Sequence, residues 1–501
     1  MAGTTPPGWF TPAPRSVRAW RERAEAVHDG GPTNWLRALW PVLEPSAAAK
    51  ERLTSAADGR GVVVTTGQQP GLFGGPLYTW AKAVTVRALA DALQESLGIP
   101  VAPIFWAATD DSDFAEGAVT VVNVPGGCRE LRLTTDAPTG TSVSHVPLGD
   151  VGELVAALAD ACGSGTDPRA LEAIGQAYHP KATVGGAYLA LLRSLLEPLG
   201  IAVLDAAHPA TRAAGDDLYR RALMRADHVH AALIDRGAEI RSMGFEPQVA
   251  EVDELSLVFD HHDGRRQRIP RRAAHDRAQS AEPGTLSPNV LLRPVAERCI
   301  LPTVAYAAGP GEFAYFAQVS AVAKALDAPP PVAVPRWSTT IVEPHIERLL
   351  AKYELTIDDL AHPHEIAKRL SERAMPGDVS ESVRAMREQL LASAQALRAT
   401  LRDHGGLVPE NTVDAIERAV GWRLDRFTRR LRAGVRRHDS TLGRDLGTLG
   451  GALYPNGTRQ ERALNVVPLL VRHGLRLLDD MSEAAGAHAR SLVQGPGVSD
   501  A

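Results

Sequence analysis

The chain has 501 residues, 44% of them apolar and 23% charged, with a formal net charge of −5. That length favours two or three domains over a single core, and the composition excludes a disordered chain. So small a net charge provides no field to attract nucleic acid or an anionic membrane, and neither is expected as a partner.

The opening run MAGTTPPGWFTPAP has no basic segment followed by an apolar one, so no signal peptide is expected. Charges interrupt every apolar stretch well before the ~20 residues a membrane span needs. Cys128, Cys162 and Cys299 lie far apart with no C-x-x-C pair. This excludes a disulfide scaffold and a thiolate zinc finger, and predicts a reducing, cytoplasmic setting with each cysteine a small apolar filler.

Residues 1–60 read as a Pro-broken lead-in with short helices over 17–27 and 35–43. At Gly61 the texture changes. Gly61-Val-Val-Val-Thr-Thr66 is a β-branched run between glycines and predicts a buried strand. A turn-rich loop follows and ends at Pro76, where a helix can begin without needing that N–H. Helical spacing runs over 77–97, Gly98 stops it, and 101–108 predicts a second buried strand. A β-loop-α-β unit of this kind builds an open parallel sheet.

Further along, 170–196 reads as helical, 201–204 as a strand and 210–235 as a helix. Alternation over 248–269 predicts β-structure in an inserted subdomain. Residues 303–308 predict a strand, 312–326 a helix, and 331–335 a closing edge strand. The expected fold class is therefore α/β over 61–340.

Beyond Thr340 the strands stop and 341–501 reads as helical. Apolar positions step by three and four from Val383 to Leu401 and again from Val413 to Val435, a seam that wants a facing helix. The break at 404–409 predicts an antiparallel hairpin. Its second helix carries seven apolar seam positions, more than one partner helix covers, and predicts a homodimer. Seven arginines between Arg423 and Arg437 read as a solvated helix face.

Four segments could carry chemistry. Thr66-Gly-Gln-Gln-Pro-Gly-Leu-Phe-Gly-Gly-Pro-Leu-Tyr78 places glycines and a helix start at a strand end, as a ligand site or as a plain glycine turn. Trp106-Ala-Ala-Thr-Asp-Asp-Ser-Asp113 crowds three carboxylates at another. Their repulsion could raise one pKa toward general-base duty, they could hold Mg²⁺, or they could cap the next helix. Ala307-Ala-Gly-Pro-Gly-Glu-Phe-Ala-Tyr315 offers N–H groups to an anion, and Gln460-Glu-Arg-Ala-Leu-Asn465 is a polar helix start. His261-His262 sits in predicted β-structure, where neighbours point to opposite faces and cannot readily share a metal. No metal site is expected.

VVVTTGQQPGLFGGPLYTWAKA from Val62, VAPIFW from Val101 and LLRPVAERCILPTVAYAAGPGEFAYFAQV from Leu291 follow one another in order. VPRWSTTIVEPHI from Val334 and QERALNVVPLLVRHG from Gln460 complete the set. Together they resemble the BshC family, the cysteine ligases of bacillithiol biosynthesis, over nearly the whole chain. The resemblance implies a Rossmann-like core with connecting-peptide insertions, a C-terminal coiled coil and a homodimer. It also implies that cysteine is joined through its carboxylate to the amine of glucosaminyl-malate. Amide formation needs an activated carboxylate, so ATP, with Mg²⁺, is the expected co-substrate, although neither H-I-G-H nor K-M-S-K-S is present.

The family's acidic motif commonly reads Thr-Glu-Asp-His-Asp, and Ser112 stands here at the histidine, where it cannot serve as an imidazole base. Catalysis is therefore expected from Asp111 and Asp113 with Asp110. Gln68, Gln69, Tyr78 and Gly75 are expected to orient substrate. Gly309, Gly311, Gln460, Arg462 and Asn465 are expected to contact a nucleotide or anion. Ser112 also keeps open a second reading, a non-catalytic Rossmann-type ligand sensor or scaffold acting through its coiled coil.

Overall fold

Strands with β-branched, apolar sequences are buried on both faces when helices cover a parallel sheet. In the computed structural model, which describes residues 8–43, 45–165, 167–404, 408–438 and 440–495, five strands do this. They are β1 (Val62–Gln68), β2 (Val101–Ala107), β5 (Ala202–Asp205), β9 (Thr303–Ala308) and β10 (Ala333–Pro335), in the order β10-β9-β1-β2-β5. All four pairings are parallel, and β1 and β2 run in register from Val62 opposite Val101 to Gln68 opposite Ala107. The five carboxyl ends therefore share one side of the sheet. Pro335 ends the edge strand, where a missing N–H breaks no ladder.

Helix Leu77–Leu97 carries β1 over to β2 and stops at Gly98, whose φ of 69° is the left-handed cap that glycine tolerates. Helix Pro310–Ala325 carries β9 over to β10. The C-terminal helix Arg476–Gln494 packs on Leu77–Leu97, so the chain from Glu461 onward belongs to the sheet-bearing unit, with Met1–Val122 and Glu130–Thr339.

The stretch 170–196, expected as one helix, is two, Arg169–Ala177 and Val184–Leu196. Pro180 has no N–H to continue the first, and the Thr183 side chain caps the second by accepting from Gly186 N at 3.0 Å. Residues 210–235 likewise divide at Arg225 into Pro209–Met224 and Ala226–Ser242. A hairpin of β3 (Val119–Val124) and β4 (Gly127–Arg132) and a helix over Gly152–Cys162 go beyond the sequence expectations.

The alternation over 248–269 resolves into β6 (Leu255–His262) and β7 (Arg265–Pro270), joined by Asp263-Gly264 with φ of 49° and 76°. That is the two-residue turn with both φ positive, for which Asp-Gly is a preferred sequence. With β8 (Leu286–Pro288) they form an antiparallel sheet ordered β7-β6-β8.

The second unit, residues 123–129 and 340–460, is helical beyond Thr340. Its core gathers Ile346, Leu360, Ile366, Leu442, Leu449 and Leu453. Helices Gly377–Asp403 and Glu410–His438 pair antiparallel, as Arg398 with Asp414 and Arg387 with Asp425 show. Residues 405–407 of the expected break lie outside the described residues. Val413 and Leu424 are buried on the seam, while Ile416 and Phe427 stay about half exposed, at 53% and 49%. Among the described residues no helix is long and apolar enough to cross a membrane.

Candidate active site

The carboxyl ends of β1, β2 and β9 open onto one cavity of about 470 Å³, which lies wholly within the sheet-bearing unit. Gln68 and Gln69 enter it from β1 and the turn that follows. Asp110 and Asp111 come from the turn after β2, and Gly309, Gly311 and Glu312 from that after β9. The antiparallel sheet closes the far wall with Phe259 of β6 and with Arg266 and Arg268 of β7. Gly67 must be a glycine here, since a Cβ would sit 2.9 Å from the Trp106 carbonyl oxygen.

Lys82 projects from helix Leu77–Leu97 to the cavity floor and is 1% exposed. Its ammonium donates to Gly67 O at 2.6 Å and Gln68 Oε1 at 3.0 Å, and pairs with Glu312 Oε2 at 2.5 Å. Gln68 is thereby oriented, and its Nε2 donates to the Tyr78 hydroxyl at 2.9 Å. Glu312 also accepts from Gly309 N at 2.8 Å and from the Tyr306 hydroxyl at 2.7 Å. Burial alone would raise the Glu312 pKa, but Lys82, Arg293 and the Gly309 N–H outweigh it and hold the carboxylate ionised. For Lys82 burial depresses the ammonium pKa, with Glu312 opposing. Three acceptors converge on Nζ, so the ion pair is the consistent state.

Behind the floor lies a second pair. Arg293 meets Glu297 at 3.1 Å and donates to the Tyr306 hydroxyl at 3.0 Å. Glu297 is 1% exposed and accepts from the Thr65 hydroxyl; burial pushes its carboxyl up to about 7, with Arg293 opposing. Arg336 is held by both oxygens of Glu461, at 2.9 and 2.8 Å.

The acidic run is met by a cation, which the sequence did not show. Arg266 lies 3.1 Å from Asp111 Oδ1 and 3.7 Å from Asp110, donates to Pro288 O at 2.8 Å and covers the Phe259 ring at 3.9 Å. Gln69 Nε2 donates to the other Asp111 oxygen. Asp110 does have a raised pKa, chiefly from burial, with Arg266 opposing and Asp111 adding to it.

The family model described as "Bacillithiol biosynthesis BshC, N-terminal Rossmann-like domain" matches residues 15–337. A second, "Bacillithiol biosynthesis BshC, C-terminal coiled-coil domain", matches residues 339–490. The chain belongs to the BshC family. A protein of Koribacter versatilis named "Putative cysteine ligase BshC" is 33% identical, covering 88% of this chain and 85% of its own. One of the same name from Solibacter usitatus is 32% identical over 92% and 89%. The Rossmann-like and coiled-coil organisation expected from the resemblance is thus borne out.

In this BshC chain the cavity gathers Gln68, Gln69, Tyr78, Asp110, Asp111, Gly309, Gly311 and Arg462 from the residues singled out in the sequence. Four others lie elsewhere. Asp113 caps helix Phe114–Gly117 by accepting from Glu116 N at 3.2 Å and faces solvent. Gly75 lends its carbonyl to Asn465, whose Nδ2 also reaches Phe73 O at 3.0 Å and Thr120 Oγ1 at 3.1 Å; Asn465 therefore shapes the glycine loop. Gln460 belongs to the helical unit, where it bonds the Ile341 N–H and carbonyl, each at 2.8 Å, and Ala452 O. Ser112 offers its N–H to Asp111 at 2.7 Å.

The cavity adds Lys82, Arg266, Arg268, Arg293 and Arg336, which sequence reasoning missed. Lys82 had a signal, a lone charge on an otherwise apolar helix face. Arg266 and Arg268 had one in their two-residue spacing, which puts both on one strand face.

Proposed function

We propose that this BshC chain is an amide-forming ligase that joins the carboxylate of cysteine to the amine of glucosaminyl-malate, the last step in making bacillithiol. Family membership supports the reaction class, since the relatives are named as cysteine ligases. The observation that carries the reading is the cavity lining. It combines a carboxylate fixed from both sides, two glutamine amides, and six cations against three acids: Lys82, Arg266, Arg268, Arg293, Arg336 and Arg462 against Asp110, Asp111 and Glu312. Such a lining suits an anionic substrate whose amine must be oriented and deprotonated.

A carboxylate does not acylate an amine at neutral pH until one of its oxygens becomes a leaving group. In this proposal ATP is the co-substrate: a cysteine carboxylate oxygen attacks its γ- or α-phosphorus, ADP or pyrophosphate departs, and the acyl phosphate or acyl adenylate that forms carries the leaving group. The amine attacks the activated carbonyl carbon, its proton passes to Asp111, and the acyl C–O bond breaks so that the oxygen departs in phosphate or AMP. Gln69 and Arg266 keep the Asp111 carboxylate aimed, and positioning of this kind contributes orders of magnitude to rate. Asp110 and Asp111 are engaged by Arg266, so they do not present a set of free carboxylates to a resident divalent cation.

The test incubates purified protein with glucosaminyl-malate, ATP and cysteine carrying a heavy-oxygen label in its carboxylate. The expected result is bacillithiol by mass spectrometry and the label in phosphate or AMP. Bacillithiol without label transfer would remove ATP activation, and no bacillithiol would remove the ligase reading.

A further inference from the structure

Five of the six cations in the cavity have their partners elsewhere accounted for or face solvent, and one does not. Lys82 is bound by Glu312, Arg266 by Asp111, Arg293 by Glu297 and Arg336 by Glu461. Arg462 is exposed at the rim. Arg268, half-buried on β7 two residues beyond Arg266, has only its Nε engaged, donating to Ser256 O at 3.0 Å. Its two terminal nitrogens make no hydrogen bond or ion pair among the described residues. The Nε bond sets the plane of the guanidinium and leaves the two-pronged edge that matches a carboxylate. Val249, Phe259 and Val290 line the same wall, and an apolar surround strengthens a charge pair.

We propose that Arg268 is the carboxylate receptor of the cavity, binding an acidic group of the amine-bearing substrate, with Arg462 at the rim facing its second charge. This rests on the ligase reading for the identity of the substrate, though not for the chemistry of the site. The antiparallel β6–β8 sheet thereby supplies the specificity wall, while the parallel sheet carries the reacting groups. Burial lowers the Arg268 pKa, with Glu251 opposing and Arg266 adding to it.

The experiment measures binding of L-malate by calorimetry to wild type, Arg268→Met, Arg268→Lys and Arg462→Met, and in parallel the KM for each substrate. Wild type should bind malate, and Arg268→Met should weaken it by about 10- to 100-fold, the range of a charge-assisted pair. Arg268→Lys should recover only part, lacking the fork, and Arg462→Met, whose exposed site leaves folding intact, should weaken binding several-fold. The KM for glucosaminyl-malate should rise in Arg268→Met while that for cysteine holds, a split that a general folding defect would not give. Malate affinity unchanged in Arg268→Met, or no malate binding by wild type, overturns the proposal. Malate binding lost in Arg268→Met by a protein that makes no bacillithiol overturns the ligase reading and leaves this one standing.

Discussion

Replacing Lys82 by Met should be among the most destabilising single changes in the sheet-bearing unit. The thioether fills much of the same volume but leaves Gly67 O, Gln68 Oε1 and the Glu312 carboxylate without the ammonium that joins them. Removing one member of a buried pair costs about 3–5 kcal/mol, because the other charge stays behind uncompensated. Removing both is far cheaper, so Lys82→Met/Glu312→Gln should regain most of the loss. The measurement is urea unfolding followed by tryptophan fluorescence, since Trp80 and Trp106 are both buried in this unit. Arg18→Met serves as control, because the Arg18–Glu22 pair is exposed and its loss should barely register. A Lys82→Met loss below about 1 kcal/mol, or a double variant as unstable as the two losses added, would refute the account of Lys82 as the tie between the two strand-end loops.

Asp111→Asn should lower turnover by two or more orders of magnitude, whereas Asp113→Asn should leave it within a few-fold, since Asn caps a helix about as well as Asp; steady-state assays of bacillithiol formation decide. The raised Glu297 pKa means the native chain keeps a proton that the unfolded chain releases above 4.5, so stability falls as pH rises from there to about 7. Glu297→Gln should remove that fall in urea midpoints measured across the window. His261 works in the opposite sense: burial and Arg212 lower its pKa to about 3, so native stability drops as pH falls from 6.5, and His261→Asn should flatten that limb. If a second copy covers the half-exposed Ile416 and Phe427, Phe427→Asp should convert a dimer to monomers in light scattering, and an unchanged dimer would place the interface elsewhere.

Much of the sheet was legible because its strands are continuous apolar runs bounded by glycine. The expected strand at 303–308 coincides with β9, and 61–66 falls within two residues of β1. The three strand-end loops were legible for the same reason, being where polar residues follow such a run. Lys82 left only its lone charge on an apolar helix face as a signal, and Arg293 and Arg336 left none. What makes a buried charge tolerable is its partner, and Glu312 lies far from Lys82 along the chain. Asp111 and Asp113 show the finer limit. They are two residues apart in one acidic run, yet the first meets Arg266 and Gln69 while the second caps a four-residue helix. Asp113 stands three residues before Glu116, the spacing of a helix cap, whereas the Arg266 that meets Asp111 lies far along the chain.

The Asn465 side chain fastens the loop around Phe73 across 392 residues of sequence. On the ribosome, the glycine loop emerges early and stays without its clasp until synthesis is nearly finished. A chain that has emerged as far as β10 therefore still lacks the side chain that fastens this loop. A chain that stops short of residue 465 lacks both this clasp and the helix Arg476–Gln494 that packs on Leu77–Leu97.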